Sequence, residues 1–134
     1  MKEKIVFSVR LRQVKFRLQR FMRMMISGNT GSWTGIKGHA LILPKEHYHN
    51  LYDIDEEVAA KAMILAKKMV NKLTKVLDCD GYNIVQNNEE CAGQSVFHFH
   101  MHLIPRYKGD QVGLGWKMGE LSEEDKKEIL DKMK

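Results

Sequence analysis

Three histidines at strict two-residue spacing, His98, His100 and His102, lie in the stretch QSVFHFHMHLIPR from Gln94 to Arg106. Phe99 and Met101 fill the gaps, and Leu103 follows. On a strand, residues i, i+2 and i+4 share one face. The spacing therefore predicts three imidazoles projecting the same way, about 6.5–7 Å apart at successive Cα atoms, with Phe99, Met101 and Leu103 turned into a core. A row of rings with no carboxylate nearby is a costly core, because every buried ring needs a hydrogen-bond partner. Two chemical readings follow: a metal site, or an imidazole nucleophile with supporting donors. Alternate residues on a flat strand point nearly parallel, which disfavours convergence of all three on one ion. His49, standing alone, reads as a packed or solvated side chain.

The elements that must mount these rings are legible in the flanking text. His39 to Leu43 (HALIL) is a short apolar run stopped by Pro44 and reads as a buried strand. Asp53 and Glu56 form a D-x-x-E helix start. Val58, Ala62, Leu65, Met69, Leu73 and Val76 then recur every three or four residues, with lysines opposite. That periodicity predicts an amphipathic helix of about five or six turns ending near Leu77. Asp80-Gly81 is a turn, Tyr82 to Gln86 a second strand, and Asn87 to Gln94 a polar loop. Ser95 to Pro105 is expected as the third strand. Ser122 caps a last helix in SEEDKKEILDKMK, acids first and lysines last, as the macrodipole favours. Strands and helices in this order, without βαβ alternation, predict an α+β fold on an antiparallel sheet.

The chain has 134 residues, 43% hydrophobic and 29% charged, which fits one globular domain able to bury a core without staples. No apolar run suggests a membrane span or a secretory signal. The only two cysteines, Cys79 and Cys91, form no CxxC, and a reducing cytoplasm is expected. The net charge of +5 is unevenly placed. Residues 1–38 carry nine Lys or Arg against the single acid Glu3, or +8, and the remaining 96 carry 13 bases and 16 acids, or −3.

Residues 38–134 resemble the histidine triad (HIT) family of nucleotide-binding hydrolases and transferases. Its signature, His-φ-His-φ-His-φ-φ with φ apolar, is matched by His98-Phe99-His100-Met101-His102-Leu103-Ile104. The stretches GHALILPKEHYHNLYDI, DGYNIVQNNEECAGQSVFH and PRYKGD extend the match. The resemblance implies a HIT-like antiparallel sheet with a long central helix and a C-terminal helix. It also implies hydrolysis or transfer at the α-phosphate of nucleoside phosphoramidates or dinucleoside polyphosphates. His100 would be the nucleophile that forms a nucleotidyl-histidine intermediate, flanked by His98 and His102 as donors or orienting groups. Ser95 and the backbone around Gly93 and Gln94 would hold the phosphate and leaving group. Asn87 would contact a purine nucleotide, and His39 would orient the nucleophilic ring. No cofactor is required for this chemistry. Zinc-bearing members hold a structural ion with a CxxC and two histidines, which map to His47 and His98; the CxxC is absent here. The family fold pairs two chains into one sheet, so a homodimer is expected, with no membrane and no nucleic-acid partner.

Residues 1–37 form a separate, atypical basic segment that does not resemble the family's N-terminal text. Back-translation offers a reason. Reading Lys4 to Arg10 from one nucleotide early gives GAT TGT ATT TTC TGT AAG, or Asp-Cys-Ile-Phe-Cys-Lys, which is the missing CxxC. The same frame continues as ITAGEIPSATVYEDDDF, and a further shift from Gly28 gives Gly-Ile-Leu-Asp-Leu-Gly-Pro, with an acid suited to a ribose. Residues 5–36 thus read as an out-of-frame translation of the family's N-terminal segment. A transit peptide and an RNA-binding arm are the competing readings of this basic text, the second belonging to a non-catalytic binding module. On the out-of-frame reading the chain is expected to lack the N-terminal strands, the base pocket and the ribose acid. Weak nucleotide affinity and poor stability would follow.

Overall fold

A computed structural model describes residues 11–14, 21–27, 36–113 and 118–134, with the side chains of residues 11–14 and of Ser27 outside that description. Most of the basic segment, together with Trp33, Gly115 and Trp116, lies outside the described residues. The helical periodicity becomes α1, Glu56–Leu77, a helix of 22 residues. It buries Ala62, Leu65, Ala66, Met69 and Leu73, while Val76, expected on the same face, is 79% exposed in the last turn. Asp53 is not its cap. The preceding residue is Asp55, and the Asp53 carboxylate turns back to accept the amides of His49 and Asn50 at 3.0 Å each. At the far end Asp78 takes a left-handed conformation, φ 52°, and its amide donates to the Thr74 carbonyl.

Five strands form one antiparallel sheet: β1 (Leu11–Val14), β2 (Met22–Ser27), β3 (Ala40–Pro44), β4 (Gly81–Val85) and β5 (Met101–Arg106), in the order β1-β2-β3-β5-β4. The α+β expectation holds. The loss of the N-terminal strands does not: residues 22–27 pair along β3, with Met24 opposite Ile42, and residues 11–14 pair along residues 24–27. Met22 and Met24 are buried while Arg23 between them is exposed, so period-two alternation suffices to seat β2. Met22, Met24, Ala40, Ile42, Met101 and Leu103 share the core with α1. Gly38 closes the link between sheet and helix. Its φ is +91°, which side-chain-bearing residues rarely adopt, and a Cβ there would press on the end of the Leu77 side chain.

The triad strand is shorter than expected. β5 begins at Met101, and residues 95–100 lie outside any strand. β3 pairs with β5 only as far as Ile42 opposite Met101, and β4 only as far as Val85 opposite His102. The Phe99 amide donates instead to the Tyr48 carbonyl at 2.7 Å. α2, Glu123–Lys132, forms as expected, with Ser122 Oγ accepting from the Asp125 amide at 3.1 Å. Among the described residues no helix is long and apolar enough to cross a membrane.

Candidate active site

Phe99, Met101 and Leu103 are buried as expected, but the three histidines are buried too, at 2%, 8% and 7% exposure for His98, His100 and His102. They do not stand as three equivalent rings. Each is held by a different partner, and for His98 and His100 a backbone carbonyl fixes which nitrogen carries the proton.

His100 Nδ1 lies 2.7 Å from the His98 carbonyl oxygen. A carbonyl can only accept, so Nδ1 carries the hydrogen and Nε2 keeps its lone pair. Burial lowers the His100 pKa, which keeps the ring neutral. A neutral imidazole with Nδ1–H anchored and Nε2 unprotonated is the nucleophilic form.

His98 is set the opposite way. Its Nε2 lies 3.0 Å from the Pro44 carbonyl and donates to it, so Nδ1 is an acceptor. His47 Nδ1, 3.0 Å away, must then be the donor of that pair. Burial lowers the His98 pKa against the opposing effect of the Pro44 bond. The ring therefore turns toward the residues 44–47 rather than projecting in a row with His100 and His102.

His102, on β5, meets His39 across the sheet, with His39 Nε2 2.9 Å from His102 Nδ1. The pairing of Leu41 with His102 puts both rings on the face away from Met101 and Leu103. Burial depresses both groups, His39 to about 4 and His102 to about 3, with His100 and His39 adding to the effect on His102. His102 stands edge-on to His100, with ring centroids 5.0 Å apart. His39 thus sits against His102, which in turn stands edge-on to His100.

The predicted phosphate loop is a short 3-10 turn, Glu90–Ala92, followed by Gly93. Gly93 has φ +94°, and a Cβ on it would come within 3.4 Å of Asn87 Nδ2. Its bare backbone lets Asn87 pack against the loop. The amides of Gly93 and Gln94 are already donated to the carbonyls of Glu90 and Glu89 at 2.9 and 3.1 Å. The Gln94 side chain, 2% exposed, is also fully committed: it accepts from the Glu89 amide and Asn50, and donates to the carbonyls of His49 and Val96. Asn87 and Ser95 differ, since neither side chain makes a hydrogen bond among the described residues, and Ser95 is exposed. Of the loop residues predicted to meet a ligand, these two have donors to offer it.

Sequence reasoning missed Asn50, which is 1% exposed and holds the loop from the opposite side. It also missed the Arg106–Asp110 fork, in which Nε and Nη2 donate to the two carboxylate oxygens at 2.9 and 2.6 Å. That pair holds the Asp110 carboxyl well below the ordinary range, helped by the Tyr107 amide. An Asn three residues before Asp53 and an Arg four before Asp110 were the available signals.

The residues present do not fit a four-ligand structural zinc. All six histidines and both cysteines are described, and no group of three or more His, Cys, Asp or Glu among the described residues converges on one point. His47 and His98 face each other at hydrogen-bond distance, and Cys79 and Cys91 lie in other parts of the fold. Two nitrogens do not make the tetrahedral set such an ion needs.

The HIT domain profile matches residues 34–109. The chain is 45% identical over 82 residues to Protein hit of Bacillus subtilis, a match covering 60% of this chain and 57% of that protein. It is 38% identical over 103 residues to adenosine 5'-monophosphoramidase hnt1 of Schizosaccharomyces pombe, covering 73% of this chain and 74% of that one. Among solved structures, a HIT family protein from Bacillus anthracis superposes with a TM-score of 0.75 at 28% identity, covering 93% of this chain and 86% of the other. A Zn-bound histidine triad family protein from Mycobacterium smegmatis matches with a TM-score of 0.65 at 25% identity, covering 91% and 87%. With its triad and its sheet both accounted for, this chain belongs to the HIT family.

Proposed function

We propose that the protein is a nucleotide hydrolase or transferase acting at the α-phosphate of nucleoside phosphoramidates or dinucleoside polyphosphates through a nucleotidyl-His100 intermediate. The observation that carries this reading is the His100 Nδ1 contact to the His98 carbonyl, which leaves Nε2 as a lone-pair donor. In the first step Nε2 attacks the α-phosphorus, the bond to the leaving group breaks, and the leaving group departs with a proton taken up from solvent, which the attacking water returns in the second step. In the second, water attacks the phosphorus, the Nε2–P bond breaks, and the nucleoside monophosphate is released. Splitting one displacement into two easier ones is the gain of covalent catalysis. His98 and His102 orient the nucleophile and the phosphate oxygens, Ser95 donates to the phosphate, and Asn87 contacts a purine nucleotide. The adenosine 5'-monophosphoramidase relative supports adenosine 5'-phosphoramidate as the first substrate to try.

The working unit on this reading is a cytoplasmic homodimer. Residues 5–36 are an out-of-frame translation, which fits a family match that starts only at residue 34. The acid for the ribose and the CxxC are absent from the text as written, so turnover is reduced and no structural zinc is held. The test is hydrolysis of adenosine 5'-phosphoramidate, with mass spectrometry of acid-free quenched protein to detect AMP on the His100 peptide. Turnover and adduct both vanish in His100→Ala if the reading is right. Turnover that survives His100→Ala sinks it.

A further inference from the structure

Asn50 is a buried amide that ties two loops together. Its Nδ2 donates to Glu89 Oε1 at 2.8 Å and to Gln94 Oε1 at 3.1 Å, while its Oδ1 accepts the Tyr52 amide at 2.9 Å. Gln94 extends the tie, donating to the His49 carbonyl at 2.7 Å and accepting the Glu89 amide at 2.8 Å. Asn88 adds another link, its Oδ1 accepting the Leu51 amide at 2.8 Å. Side chains thereby grip the turn after β3 to the loop of residues 87–95, and the Phe99 amide adds a backbone bond to the Tyr48 carbonyl at 2.7 Å.

Glu89 shows that the grip works against a conformational preference. Its φ of 76° and ψ of 160° lie where side-chain-bearing residues are rarely found. Such a residue persists only when its surroundings over-determine it, at a cost of roughly 1–3 kcal/mol. Here the Glu89 amide, carbonyl and carboxylate are all engaged, the last by Asn50. The two residues flanking the gripped segment are Asn87 and Ser95, the same two whose side chains make no hydrogen bond among the described residues.

We propose that Asn50 is a positioning residue that acts through Gln94 and Glu89 to set the loop of residues 87–95 for its nucleotide ligand. The proposal rests on the function proposed above. Asn50 touches no reacting atom on this account; it fixes where Asn87 and Ser95 present their donors.

The test compares the full chain with Asn50→Ala, Asn50→Asp and the double variant Asn50→Asp with Glu89→Gln. Asn50→Asp sets an acceptor-only carboxylate against the Glu89 carboxylate and the Gln94 oxygen. Glu89→Gln then restores a donor between positions 50 and 89 with its direction reversed. Hydrogen exchange followed by mass spectrometry reads the grip, and adenosine 5'-phosphoramidate turnover reads its consequence. The expected result is exchange in residues 88–95 faster by about tenfold or more in both single variants, with peptides from α1 unchanged. kcat is expected to fall by roughly 10- to 100-fold, more than KM changes, as small misplacements do. The double variant recovers part of both. Loop exchange unchanged in Asn50→Ala, exchange raised equally in loop and α1, or a double variant no better than Asn50→Asp overturns the proposal. Wild-type turnover indifferent to His100→Ala overturns the proposed function instead, and the exchange comparison still decides whether Asn50 holds the loop.

Discussion

Two strand pairs of one sheet place very different demands on their sequence. β2 on β3 asks for alternation and little else: Met22 and Met24 go in, Arg23 goes out, and unbranched methionines adapt to the space they meet. β3 on β5 carries the site, and there residue identity counts at nearly every position. His39 meets His102, Pro44 accepts from His98, and Leu41 and Ile42 fill the gaps between. The comparisons divide along the same line. The structural match to the Bacillus anthracis protein covers 93% of the chain, whereas the family profile begins at residue 34. A strand survives in text whose chemistry does not match the family, because a binary pattern is far more common than a set of named side chains.

The sharpest way to break this contrast is at the site. His100→Ala is expected to lower turnover on the order of 10³-fold or more, because it removes the proposed nucleophile and not a supporting contact. Stability should change little by comparison. A rewritten N-terminal segment tests the other side. Replacing residues 5–36 with the out-of-frame text restores a CxxC near His47 and His98 and an acid for the ribose. The expected outcome is about one zinc per chain by metal analysis, and a Tm higher by roughly 5 °C or more. Turnover should rise by about tenfold or more, as an added ribose contact would give. Unchanged zinc content and turnover would mean that the basic segment has its own role.

Core truncations sharpen the comparison at the next level. Phe99 is 2% exposed and wedged beneath the triad, with its amide held by Tyr48. Phe99→Ala is expected to cost about 3–5 kcal/mol, and Met24→Ala on β2 about 2 kcal/mol, near the lower end for a buried methionine. Urea unfolding of both variants measures the difference. Equal costs would show that β2 is as tightly specified as the strand behind the histidines.

The fold and the histidine row were legible because both are written locally. Residues 56–77 carry a 3.6-residue period, residues 40–44 an apolar run closed by proline, and the triad a period of two. The supporting contacts were not legible, since they join positions far apart in the chain. Asn50 reaches Glu89 and Gln94, His47 reaches His98, and Arg106 reaches Asn83 and Asp110. The triad strand was over-extended for a related reason. Alternation continued through Ser95, but a strand needs a paired neighbour, and the ladders with β3 and β4 stop at Met101 and His102.

The smallest predicted effect concerns protons at the boundary between the two regions. His39 and His102 have folded pKa values of about 4 and about 3, both below the value of about 6.5 expected when unfolded. Between those limits the unfolded chain binds more protons than the folded one, so stability falls as pH falls. The contribution is intact above about pH 6.5, declines through the window from 6.5 to 4 for His39 and from 6.5 to 3 for His102, and changes no further below each lower limit. From pH 7 to pH 5 each histidine should cost roughly 1–2 kcal/mol. His39→Gln isolates one of them, because a glutamine amide can donate or accept opposite His102 Nδ1 but does not titrate. Its urea midpoint should fall less steeply from pH 7 to 5 than that of the parent chain, by about the contribution of one histidine. β2, by contrast, carries no histidine. An identical pH slope in His39→Gln would place the acid sensitivity outside the β3–β5 pair, and the division between the two halves of the sheet would then fail for protons as well.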